Sequence, residues 1–238
     1  MKRRLYIITG KPYNGNQSIL FKKFAQLYKT FFSDKSGGAY ENEEITLLEQ
    51  PTTSELKAEI ENTKADFGII VMIGHGATKN DNQLFHINDT EIIKAGQFDL
   101  NIDKQIVILE SCRSENSNVF PVDLSDKPPK FELGGTYRNP LSREKTKEIY
   151  FEEIDKCEKG LAVCLACSPN QEASNFYYSS SLLQIGKDWH LSSQRHLQVM
   201  KINELMFSTT IEVLNKSNNK QKPQMIGVKE FPFVISKF

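Results

Sequence analysis

No apolar run in this chain reaches the roughly 18 residues that a membrane-spanning helix needs. The start, Met1-Lys2-Arg3-Arg4-Leu5-Tyr6-Ile7-Ile8, has the basic opening of a leader, but its apolar stretch stops at Thr9-Gly10-Lys11. That is too short for the apolar centre of a signal peptide and reads as a buried first strand. An excess of one charge is missing as well. The 30 basic and 30 acidic residues cancel to a net charge of zero, so no global field gathers nucleic acid or an anionic membrane. Cysteine is sparse, four residues scattered through 238, and a chain of this size does not depend on disulfides for stability. The expectation is a reduced, cytoplasmic protein with chemically available thiols. There is no internal repeat and no composition shift that marks a second domain. No Gly-x-Gly-x-x-Gly or Walker sequence follows a strand, and Thr9-Gly10-Lys11 is too short a fragment to stand for one. This weighs against a nucleotide-binding reading.

What is present is an ordinary globular composition, 39% hydrophobic and 25% charged. Short apolar runs alternate with helical spacing. Leu5–Ile8, Glu44–Leu48, Phe67–Ile73, Gln105–Leu109, Leu161–Ala166 and Met225–Val228 read as strands. The run Phe67-Gly68-Ile69-Ile70-Val71-Met72-Ile73 is apolar almost throughout, as expected of a strand buried on both faces of a parallel sheet. Apolar residues at Ile19, Leu20, Phe24, Leu27, Tyr28 and Phe31 follow a helical period. Thr53 or Ser54 could N-cap a helix through Leu56 and Ile60. Leu182 to Leu214 is mostly helical, with a break near Leu191-Ser192-Ser193. Strands alternating with helices predict an α/β fold, a three-layer α-β-α sandwich around a mostly parallel central sheet. The stretch Glu115 to Arg143 has no clear period and holds Pro121, Pro128, Pro129, Gly134, Gly135 and Pro140. A loop that long inside a domain is usually functional or disordered.

Ligands of open α/β sheets bind beyond the carboxyl ends of the strands. Two of the predicted strands end in reactive side chains, Ile73-Gly74-His75-Gly76 and Leu109-Glu110-Ser111-Cys112-Arg113-Ser114. If these strands are parallel neighbours, an imidazole and a thiol share one rim. A free thiol is only a few per cent ionised at neutral pH, its pKa being near ~8.5. An adjacent histidine favours the thiolate and can later protonate a leaving amine. Gly76 can bring its amide close to a substrate carbonyl and, with the amide of Cys112, form an oxyanion hole. A lone cysteine or histidine at a strand end is usually structural, so the reading rests on the pair.

These motifs resemble those of caspases and metacaspases. Gly74-His75-Gly76 is similar to their glycine-flanked histidine. Glu110-Ser111-Cys112-Arg113-Ser114 is similar to the nucleophile motif, Asp-x-Cys-His-Ser-Gly in metacaspases and Gln-Ala-Cys-Arg-Gly in caspases. The histidine precedes the cysteine, by fewer than the ~50 residues typical of caspases. Ala166-Cys167-Ser168-Pro169-Asn170-Gln171-Glu172-Ala173-Ser174 resembles the metacaspase segment after the next core strand, and Tyr177 to Leu183 the helix start beyond it. Gln221-Lys222-Pro223-Gln224 is similar to a Gln-Thr-Pro-Gln near the end of those domains.

The resemblance implies a caspase-like fold over residues 1–238 as one peptidase domain, with a processing-type loop at about 115–143. It implies a thiol protease that hydrolyses peptide bonds with His75 and Cys112 as catalytic dyad and needs no cofactor for the chemistry. In metacaspases the acid two residues before the cysteine lines the S1 pocket. Glu110 holds that position, so cleavage after Arg or Lys is expected through a charge-assisted hydrogen bond. Glu replaces the usual Asp, Arg113 stands where metacaspases have His, and Ile73 replaces a frequent Ser. Near Asn14-Gly15-Asn16-Gln17 the chain offers amides where many metacaspases supply an acid, and no third catalytic residue is evident. Lys127, Lys130, Arg138 and Arg143 are candidate processing sites. Many metacaspases need calcium, and Asp81, Asp89, Glu115, Asp123 and Asp126 lie in candidate loops, but no spaced acidic motif of the EF-hand type occurs. The expected partners are a protein or peptide substrate and an activating protein or protease, with no nucleic acid and no membrane. A role in defence or regulated cell death follows only by family analogy. The alternative is a catalytically silent caspase-fold binding module.

Cys164 and Cys167 form Cys-x-x-Cys without two further ligands at zinc spacing, and read as buried core cysteines. His86, His190 and His196 read as ordinary polar residues.

Overall fold

The computed structural model describes residues 1–62, 64–79, 82–94, 102–113, 140–192 and 198–238. Its strands are β1 (Arg3–Thr9), β2 (Ile45–Glu49), β3 (Phe67–Ile73), β4 (Gly76–Lys79), β5 (Asn82–His86), β6 (Ile92–Lys94), β7 (Lys104–Glu110), β8 (Gly160–Leu165), β9 (Val199–Lys201), β10 (Gln224–Gly227) and β11 (Pro232–Ile235). The α-helices are α1 (Gly15–Ser33), α2 (Thr53–Glu61), α3 (Arg143–Lys156), α4 (Tyr177–Ser192) and α5 (Ile202–Lys216). The six-stranded central sheet has the order β10-β8-β7-β3-β1-β2. Five strands run parallel, and only β10 is antiparallel, against β8.

The apolar run of β3 is buried at all seven positions, as a central parallel strand demands. Side chains alternate between two cores because strand residues point to opposite faces. Leu5, Ile7, Ile69, Val71, Ile106 and Ile108 pack with α1, α3, α4 and α5, whereas Tyr6, Ile8, Ile70, Met72, Val107 and Leu109 pack with α2 and with Phe85, Ile87 and Ile93. Four of the five helices thus share one face. The other outer layer is thinner, made of α2 and residues of the three-stranded sheet β4-β5-β6.

Helix α1 starts where Asn14 accepts the Gln17 N–H at 3.0 Å. It buries Phe21, Phe24, Tyr28, Phe31 and Phe32, each contributing roughly 1.5–3 kcal/mol by burial. The N-cap of α2 is Thr52, rather than the expected Thr53 or Ser54, because Thr52 and Glu55 exchange the reciprocal bonds of a capping box. The helical reading of 182 to 214 resolves into α4 and α5, which are separated by β9. Helix α3 has no clear apolar period in the sequence. Its buried residues are Thr146, Ile149, Tyr150 and Ile154, set among charged ones. Among the described residues no helix is long and apolar enough to cross a membrane.

Candidate active site

β3 and β7 pair in parallel, and the register sets Ile73 opposite Glu110. His75 therefore lies two residues past the end of one strand, and Cys112 two residues past the end of its neighbour. The two ends are bonded to each other, Gly74 donating its N–H to the Glu110 carbonyl at 3.1 Å. The structure brings His75, Gly76, Glu110 and Cys112 to one sheet edge. Gly76 permits this approach. A Cβ at that position would stand 2.7 Å from the Leu84 carbonyl oxygen and 2.9 Å from that of Cys112, so only glycine lets the backbones pass.

The imidazole of His75 is enclosed from the α1 side. The Tyr13 ring stacks on it at 3.9 Å and 22°, and Phe21 lies 5.6 Å away. Its Nε2 is 3.2 Å from Gln17 Oε1. Burial is the main reason that its pKa falls to about 4, helped by the positive charge that His86 can carry. His86 is itself held low by burial and by Lys11.

The Cys112 thiol points its hydrogen at the Ala173 carbonyl, 3.8 Å away. Burial pushes its pKa up, the Ala173 contact works the other way, and the charges of Glu172 and Glu110 add to the rise. At neutral pH the resting site holds a neutral thiol and a neutral imidazole. Such a pair can act by general-base catalysis, the proton moving as the sulfur attacks.

Three glutamines hold the turn around Cys112, and a fourth ties down the loop beside it. Gln83 on β5 is buried and donates to the Cys112 carbonyl at 3.0 Å, while its oxygen accepts from Arg113 Nε at 3.0 Å. Gln224 on β10 accepts from Arg113 Nη1 at 2.8 Å. The Gln171 carbonyl accepts the Arg113 N–H at 3.0 Å. Gln221 is fully buried, donates to the Ala166 carbonyl and accepts the Ser174 N–H, both at 3.0 Å. The Gln221–Gln224 motif thus ties down the loop that carries Ala173. Gln83 carries no sequence signal. Gln17 lies in the amide-rich segment after β1, but nothing in its spacing links it to His75.

Glu110 is 4% exposed. Its Oε2 accepts the Ser179 N–H at 2.7 Å, in the first turn of α4, and the Ser179 hydroxyl is bonded to the Tyr28 hydroxyl at 2.9 Å. Burial outweighs these bonds and raises the Glu110 pKa to about 7.

Of the candidate processing residues, Lys127, Lys130 and Arg138 lie outside the described residues. Arg143 is the first residue of α3 rather than a loop residue. Its guanidinium donates to the carbonyls of Ser33, Ala39 and Tyr40 and pairs with Glu41 at 3.0 Å. Asp81, Glu115, Asp123 and Asp126 lie outside the described residues, and Asp89 forms an ion pair with Lys11. Among the described residues no group of three or more His, Cys, Asp or Glu is placed to hold a metal ion. Cys164 and Cys167 are free thiols with no exposed surface, and burial pushes Cys164 up to about 12. His190 is buried against the Ile235 carbonyl at 2.7 Å, and His196 lies outside the described residues.

No family model and no curated protein matches the sequence. Solved structures do match its fold. The initiator caspase Dronc of Drosophila superposes with a TM-score of 0.56 at 11% identity, covering 98% of this chain and 81% of Dronc. Caspase-1 of Spodoptera frugiperda gives 0.53 at 8% identity, covering 98% of this chain and 90% of its own. A Geobacter sulfurreducens protein gives 0.50 at 13% identity over 99% of this chain and all of that one. The fold is caspase-like, a central, mostly parallel sheet between two outer layers that brings a histidine and a cysteine together at the carboxyl ends of adjacent strands.

Proposed function

We propose that the protein is a cysteine endopeptidase with Cys112 as nucleophile and His75 as acid–base partner. The observation that carries this is the parallel, in-register pairing of β3 and β7, which ends in these two side chains. As the Cys112 sulfur bonds to the substrate carbonyl carbon, its proton passes to His75. The amides of Gly76 and Cys112 receive the oxyanion, an interaction worth about 3–4 kcal/mol per donor in comparable enzymes. Collapse breaks the C–N bond, and the departing amine takes the proton from His75. Water, deprotonated by His75, then hydrolyses the thioester and restores the thiol.

Glu110 is proposed to read Arg or Lys at P1. A nearly buried carboxyl with a pKa of about 7 is ionised fully when a cation enters beside it. Ser179 donates its N–H to one carboxylate oxygen and favours the charged form. The substrate is a protein or peptide, and an activating protein or protease is a further proposal.

Fluorogenic peptides ending in Arg, Lys or Asp, with and without calcium, test this. Turnover of Arg or Lys peptides that disappears in Cys112→Ala is expected. Turnover of Asp peptides would keep the protease and remove the Glu110 assignment. A second reading, a silent binding module, is favoured by one feature, the thiol bonded to Ala173 rather than to His75. Failure of an Arg-directed covalent inhibitor to label Cys112 would select it.

A further inference from the structure

We infer that Gln17 is the positioning residue of His75, fixing the imidazole as the Nε2–H tautomer and leaving the lone pair on Nδ1. This deepens the proposed dyad and rests on it only for its kinetic consequence. The argument turns on one oxygen. A backbone N–H can only donate, and that of Tyr13 donates to Gln17 Oε1 at 2.7 Å. That contact fixes which end of the Gln17 amide is oxygen, an assignment otherwise open to a flip. The same oxygen lies 3.2 Å from His75 Nε2. A carbonyl oxygen has no proton to give, so the hydrogen between them belongs to Nε2. A neutral imidazole protonated there has its basic lone pair on Nδ1.

Gln17 is built to hold this position. It is 2% exposed. Its own N–H is taken by the cap residue Asn14 at 3.0 Å. The segment that anchors it also supplies the Tyr13 ring that stacks on the imidazole at 3.9 Å. The partner is a neutral amide, so it orients the ring without stabilising imidazolium as a carboxylate would. The titratable groups that face this site are His86 on β5, which lowers the His75 pKa, Lys11 beyond β1, which acts on His86, Tyr13, stacked on the ring, and the Cys112 thiol past the end of β7. No carboxylate is among the causes of the His75 shift.

The test is nitrogen NMR of histidine-labelled full chain, with Gln17→Leu and Gln17→Glu alongside wild type. Wild type is expected to show a single Nε2–H tautomer for His75. Gln17→Leu should give a mixture and lower kcat roughly 10²-fold at little change in KM, the lower end of a general base's contribution. Gln17→Glu should keep the tautomer and raise the His75 pKa by roughly one to three pH units, moving the acid limb of the kcat/KM profile with it. The tautomer readout needs no turnover, so it stands even if no peptide is cleaved and the dyad reading fails. An unchanged tautomer in folded Gln17→Leu, or an Nδ1–H wild type, would overturn the inference.

Discussion

The two strand ends that carry the site are built differently. At the end of β3 the functional side chain itself is enclosed, with Tyr13, Phe21 and Gln17 all reaching the imidazole. At the end of β7 it is chiefly the backbone that is held by hydrogen bonds. Gln83, Gln171 and Gln224 tie down the Cys112 carbonyl and Arg113, while the thiol has one long contact to Ala173. A base must present one nitrogen at one angle, which calls for a locked ring. A nucleophile must turn from its resting partner to the substrate, which calls for a fixed backbone and a free χ1.

Breaking the approach of the two ends should have the largest effect. Gly76→Ala places a Cβ 2.7 Å and 2.9 Å from two backbone oxygens, which can clear it only if the strand ends spread. We expect turnover to fall by roughly 10²-fold or more, since small misplacements in a catalytic geometry cost that much. Stability should fall by about 1–3 kcal/mol. Peptide hydrolysis and urea denaturation measure the two losses separately, and unchanged turnover in a folded variant would show that the close approach is not needed.

The second effect separates the ends by pH. The folded His75 pKa, about 4, lies below its ordinary 6.5. The unfolded chain therefore binds the proton first, and the stability linked to this group is complete above pH 6.5 and lost as pH falls through 4. Glu110 runs the other way. Its folded pKa, about 7, lies above the ordinary 4.5. The folded chain holds the proton longer, so its contribution is complete below pH 4.5 and lost as pH rises through 7. Glu110→Gln, which keeps an acceptor for Ser179, should be more stable than wild type by about 3 kcal/mol at pH 8 and nearly equal to it at pH 4. Thermal melts across this range check the sign, and a gain confined to low pH would refute it. The same variant should lose the preference for Arg or Lys at P1.

The smallest effect sharpens the contrast. Gln83→Leu releases the Cys112 carbonyl and Arg113 Nε without touching the His75 side. A stability loss of about 1 kcal/mol is expected, with turnover down roughly 10-fold. The His75 titration, followed by NMR, should not move. A changed His75 pKa would mean that the two ends are coupled through β5, where Gln83 and His86 both lie.

By itself the sequence determined the strands of the central sheet and the two reactive ends. β3 and β7 are apolar on both faces, and burial on both faces is a property that composition carries. His75 and Cys112 were legible because polar residues that immediately follow such runs fall at the rim. Gly74 and Gly76, unusual beside a β-branched strand, mark the same place. The tertiary structure alone decided the strand order, which inserts β1 between β2 and β3, and the short sheet β4-β5-β6, whose strands are too brief for a clear period. It alone decided the helix α3, whose buried residues are a minority among charges. It also decided what the glutamines do. A neutral amide has no periodicity, no charge and no preferred partner, so Gln17, Gln83 and Gln221 acquire a role only when the fold sets another residue's donor or acceptor within 3.2 Å of them.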